Sequence, residues 1–88
     1  MQEFQVGDLV CSAAGRDKDS FYIIVKMEGD FLYLADGKYK LVDKPKKKRK
    51  KHSVLVKRNR MEDVCTDLQI KRMLKQYVKK IAKIDLQS

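Results

Sequence analysis

The chain has no tryptophan, one proline, two cysteines and one histidine among its 88 residues. Each shortage closes a class of function. Cys11 and Cys65 stand in no CxxC or CxxCH spacing, and His52 is alone, so the four close ligands of a zinc site cannot be assembled from soft residues. Two thiols allow at most one disulfide. In a reducing compartment both stay free and pack as small hydrophobes. No apolar run approaches the ~20 residues needed to cross a bilayer. The opening MQEFQVGDLV lacks a basic segment before an apolar one, so no signal peptide and a cytoplasmic location are expected. Catalysis lacks its parts. The only histidine lies inside a basic run, the serines have no nucleophile-elbow context, and no glycine-rich phosphate loop exists. The expectation is a non-enzyme with no cofactor, no metal and no small-molecule substrate. Length allows one domain with a small core.

What is present in excess is positive charge. The chain carries 21 Lys plus Arg against 12 Asp plus Glu, for a net charge of +9. The excess is lopsided. Residues 1–43 hold five basic and eight acidic side chains, whereas residues 44–88 hold sixteen basic and four acidic. A mildly acidic first half is joined to a strongly cationic second half, and such an imbalance steers a protein toward polyanions.

Hydrophobic patterning supplies the scaffold. Residues 8–13 form a first expected strand. FYIIVK, residues 21–26, is the strongest strand signal, and FLYLA, residues 31–35, follows after the turn Glu28-Gly29-Asp30. Asp36-Gly37 reads as a hairpin turn. KYKLV, residues 38–42, then reads as a fourth strand, and HSVLV, residues 52–56, as a fifth. Several short strands with tight turns suggest a small barrel, which limits exposed edges by curling the sheet.

The period changes near residue 67. At 100° per residue Ile70, Met73, Leu74, Tyr77, Val78, Ile81 and Ile84 share one face, while Lys71, Arg72, Lys75, Lys79 and Lys83 lie opposite. Thr66 and Gln69 fit a capping box, and Asp67 suits the positive end of the helix dipole. A helix over about 67–84 is expected. Its apolar face is read as cover for the barrel rather than as a membrane anchor. Residues 1–63 and 64–88 then belong to one compact unit.

The densest feature is KPKKKRKKH, Lys44 to His52, in which seven of nine residues are Lys or Arg. Mutual repulsion is expected to keep the run extended and mobile, as a basic loop over 44–52. Against a phosphate backbone the same charges release counterions. PKKKRK also looks like a basic nuclear localisation signal, a short pattern that an RNA-binding loop shares. A purely solvated loop is the bland alternative. Among the aromatics, Phe31 and Tyr33 share a strand face, and Phe21 and Tyr22 point opposite ways, so both are not expected in one core. Tyr22 and Tyr39 are the expected exposed rings. No RRM-like aromatic motif is present, which favours backbone and shape recognition.

GDLVCSAAGRDKDSFYIIV, followed by LADGKYKLVDKPKKKRKKH, resembles the KOW motif and the segment after it in small bacterial KOW-domain RNA-binding proteins. These are relatives of the single-KOW ribosomal proteins of the large subunit. The resemblance covers about residues 6–56. It implies an SH3-like (KOW) barrel of about five strands and RNA binding, ribosomal or ribosome-associated. It also implies that Gly15 gives the loop its bend, since glycine takes positive φ without steric cost. Asp19 stands where the family more often has Gly or a basic residue, and this places a carboxylate beside Lys18.

The expected fold is mainly β with a C-terminal helix packed on the barrel. The expected RNA contacts are Arg16 and Lys18 in the first loop, Lys46, Lys47, Lys48, Arg49, Lys50 and Lys51 in the basic run, and Arg58 and Arg60 beyond it. The expected partner is RNA, ribosomal RNA first, with ribosomal proteins as neighbours and no membrane. Two other readings stay open: an adaptor that binds an acidic protein, and a DNA-binding architectural factor.

Overall fold

The computed structural model describes residues 3–13, 15, 20–58 and 66–87, the last eight by their backbone. Five strands and one helix follow in chain order. They are β1 (Leu9–Ser12), β2 (Phe21–Glu28), β3 (Phe31–Ala35), β4 (Lys46–Arg49), β5 (Ser53–Lys57) and α1 (Asp67–Gln87), with a short 3-10 turn, Lys50–His52, between β4 and β5. The strands form one antiparallel sheet in the order β4-β3-β2-β1-β5. Among the described residues no helix is long and apolar enough to cross a membrane.

The sheet is open, with β4 and β5 at its two edges. Only Lys50–His52 separates these strands in sequence. In a flat five-stranded sheet the edges stand roughly 19 Å apart, at ~4.8 Å per strand. The four Cα steps from Arg49 to Ser53 reach at most about 15 Å fully extended, and a 3-10 turn reaches less. The sheet must therefore roll. β2 is where it bends. Its first residues pair with β1 and its later ones with β3, and a register shift falls between Ile24 and Lys26. Such a bulge bends a strand and reverses its alternation. Before it Tyr22 and Ile24 point to one core; after it Met27 does.

Each face of the sheet carries a core. Inside the roll Phe4, Val10, Tyr22, Ile24, Leu32 and Leu34 form one cluster, with Val6, Met27 and Leu55 against it. On the other face Leu9, Ile23 and Ala35 meet Ile70 and Leu74 of α1, flanked by Phe21, Val25, Val56, Met73 and Tyr77. The rings of Phe21 and Tyr77 meet edge-on, 5.4 Å between centroids. This corrects the expectation for Tyr22, which is buried. Phe21 and Tyr22 do point opposite ways, but each direction holds a core. Tyr39 is exposed as expected.

Helix α1 starts as the sequence suggests. Thr66 N–H donates to Gln69 Oε1 at 3.1 Å, and Gln69 N–H donates to Thr66 Oγ1 at 3.3 Å. Ile70, Met73, Leu74 and Tyr77 face the sheet, while Lys71, Arg72, Lys75 and Lys79 are exposed. Val78, at the border of the apolar stripe, is exposed rather than packed, as is Leu68.

The expected strand over 38–42 does not form. Asp36 Oδ1 accepts the N–H groups of Lys38, Tyr39 and Lys40, each at 2.8 Å. A carboxylate that takes three successive donors removes the need for a partner strand, so the segment closes into a loop. The loop docks on the first turn of α1. Val42 N–H donates to Asp67 Oδ1 at 2.7 Å, and a Cβ at Gly37 (φ +76°) would collide with the Asp67 carbonyl. Gly37→Ala should therefore cost more than about 2 kcal/mol, strain and collision together. Gly29→Ala, at φ +56° in open space, should cost only about 1–2 kcal/mol. Urea denaturation of both variants checks the difference; equal losses would mean that the loop is not seated on the helix.

Candidate nucleic-acid interface

The basic run is not a mobile loop. Lys46, Lys47, Lys48 and Arg49 pair with Leu34, Tyr33, Leu32 and Phe31 of β3. Repulsion favours an extended chain, and an extended chain is what an open strand edge accepts. Lysines are also well suited to an edge, where they discourage further pairing. Strand period then divides the charge. Lys46 and Lys48 are half-buried beside Leu34 and Leu32, at the rim of the inner core. Lys47 and Arg49 are exposed on the opposite face, beside Tyr33 and Phe31.

That opposite face is the one α1 covers farther along. Phe31, Tyr33 and Ala35 alternate with Leu32 and Leu34, and the helix covers Ala35. Phe31 and Tyr33 are left half-buried. Cations sit over both rings. Lys47 Nζ lies 4.3 Å from the Phe31 centroid and the Arg49 guanidinium 5.8 Å from it. Lys26 Nζ lies 5.4 Å from the Tyr33 centroid, and the Tyr33 hydroxyl donates to Glu28 Oε2 at 3.4 Å. An exposed cation–π contact contributes only about 0.5–1 kcal/mol, so these heads hold their places lightly.

The strand ends at a fixed corner. Lys50 N–H donates to the Asp30 carbonyl at 2.8 Å, and Ala13 N–H donates to the His52 carbonyl at 2.9 Å. Ser53 Oγ donates to the Arg49 carbonyl at 3.2 Å. The 3-10 turn is thus tied to the β2–β3 turn on one side and to the root of the first loop on the other. Beside the β2–β3 turn lies an open cleft of about 510 Å³ lined by Asp30, Phe31, Arg49, Lys50 and Lys51.

Of the expected contact residues, Lys47, Arg49, Lys50 and Lys51 converge around Phe31, while Lys46 and Lys48 lie on the other face. Arg16, Lys18 and Arg60 fall outside the described residues. Gly15, with φ +87°, belongs to the loop rooted at Ala13. Arg58 is exposed just beyond β5, separated from the 3-10 turn by that whole strand, roughly 16 Å at ~3.3 Å per residue. It does not join the cluster. Phe31 and Tyr33 could stack on bases by sequence alone but read first as core residues, and Lys26 and Asp30 are not among the expected contacts. The i, i+2 spacing of the two rings was a usable signal, but its meaning depends on which strand lies alongside.

No model of a known protein family matches the chain, and no curated protein does.

Because Lys46–Arg49 is a paired strand, the amides that face β3 should exchange with deuterium more slowly than those of a free basic loop. Exchange at unprotected rates throughout 46–49 would contradict the pairing. Lys47→Gln should lower stability by less than about 1 kcal/mol, since its side chain is exposed and holds only a ring contact; a thermal melt measures it.

Proposed function

We propose that this chain is an RNA-binding module that grips the phosphate backbone through β4 and the turn after it. The observation that carries this is the presentation of Lys47, Arg49, Lys50 and Lys51 on an ordered strand and turn beside two part-exposed rings. Cations on ordered backbone lose less conformational freedom on binding than the same cations on a free loop. With Lys26 they make five positive heads around one surface. The rolled five-stranded sheet supports an SH3-like (KOW) barrel for the scaffold, and the resemblance over residues 6–56 points the same way. The natural partner of such a module is ribosomal RNA, in a cytoplasmic, ribosome-associated setting with ribosomal proteins nearby.

Five neutralised phosphates on a single strand give a slope of about −3.5 for log affinity against log salt. Titration of a fluorescein-labelled RNA at several salt concentrations measures it. A flat dependence overturns the proposal, and equal affinity for DNA of the same sequence returns the architectural-factor reading. In lysate the protein should sediment with ribosomal subunits at low salt and leave them at high salt. Sedimentation at the top of the gradient under both conditions removes the ribosome from the proposal and favours an acidic protein partner.

A further inference from the structure

The cleft at the end of the sheet is more than a charged patch. Its lining combines the Phe31 ring, the cations of Arg49, Lys50 and Lys51, and Asp30. We infer that this cleft seats one unpaired nucleotide of a single strand, its base on the Phe31 ring and its flanking phosphates on Arg49, Lys50 and Lys51. The inference rests on the RNA-binding reading and sharpens it, because it names the form of RNA that the surface selects.

Three features carry it. The first is size. A volume of about 510 Å³ falls within the ~300–1,000 Å³ range of sites for single small ligands, and is too small to enclose a duplex. The second is the pairing of an aromatic face with cations. A base offers a π-face to the ring while its phosphates meet the charges, which is how single strands are held without sequence readout. In a duplex that face is already stacked on its neighbours, so only the charges remain usable. The third is Lys47, whose ammonium rests 4.3 Å above the Phe31 centroid. It is exposed, and an arriving base displaces it from the ring toward the adjacent phosphate. The exchange loses little, because the lysine gains a full negative charge in place of a ring quadrupole. Asp30 defines the orientation. Its carboxylate repels phosphate and accepts N–H groups, so the edge of the base, not the backbone, lies on that side.

The test compares a ten-nucleotide unpaired RNA with the same strand annealed to its complement as a blunt duplex stem, both at one salt concentration. The wild-type protein should bind the unpaired form at least tenfold more tightly. Phe31→Leu should lower affinity for the unpaired RNA on the order of tenfold and leave stem binding unchanged, while Phe31→Tyr should restore it. A 2-aminopurine in the unpaired RNA should be quenched by the wild type and not by Phe31→Leu. Circular dichroism confirms that the variants fold. The wild-type comparison and the quenching stand even if Phe31→Leu does not fold. Equal wild-type affinity for stem and unpaired RNA, or no quenching by bound wild type, overturns the inference while RNA binding survives. Absence of binding to both RNAs removes the RNA-binding reading itself.

Discussion

The pairing of β4 with β3 is the interaction on which the rest of the molecule depends. It takes Lys46–Arg49 out of the category of a self-repelling loop and fixes each cation to one side of a sheet. Magnitudes show why it holds. Like charges on one face of a strand stand two residues apart, about 7 Å, where their repulsion in water is about 0.6 kcal/mol before salt screening. Each backbone hydrogen bond contributes about 1 kcal/mol net, so a few of them offset that repulsion. The strand is stable enough to form and still presents its charge. The same pairing sets the start of the 3-10 turn, whose short span obliges the sheet to roll and encloses the inner core.

The acidic first half has a complementary role. Two of its carboxylates, and one from the helix that meets it, serve the backbone. Asp8 is buried and accepts Gln5 N–H at 3.0 Å. Asp36 takes three loop amides, and Asp67 takes Val42 N–H. Acidic groups held this way are turned toward the chain's own donors rather than toward β4. Asp30 and Glu28 do stay beside the cationic surface, where Asp30 lines the cleft and Glu28 accepts from the Tyr33 hydroxyl. Helix α1 completes the arrangement: it covers one half of a sheet face and leaves the half with Phe31 and Tyr33 open.

Much of the fold is legible in the sequence where the signal is local. The bounds of β3, the core of β2, the capping box at Thr66 and the apolar stripe of α1 follow from periodicity and short-range hydrogen bonding. The failures share a cause. Asp36-Gly37 resembles a hairpin turn, but the Asp36 carboxylate outcompetes the strand that would follow. Tyr22 looks exposed when Phe21 is taken as the inward ring; the structure puts Tyr22 inside the roll and Phe21 against α1. The basic run resembles a loop by charge alone; only the vacant edge of β3 makes it a strand. The site inherits that failure. Which cations act together is decided by strand alternation, and alternation is invisible when the segment is read as irregular. Small rolled sheets depend on such long-range pairings, and one sequence does not announce them.

The most direct measurement compares two double variants with the same change in charge. Lys47→Gln with Arg49→Gln removes two cations from the Phe31 face, and Lys46→Gln with Lys48→Gln removes two from the opposite face. RNA affinity at moderate salt, with thermal melts to confirm folding, reads the difference. The first pair should lose affinity on the order of tenfold or more, and the second pair much less. Equal losses would mean that the run acts as undifferentiated charge, and would contradict an ordered strand that sorts its cations by face.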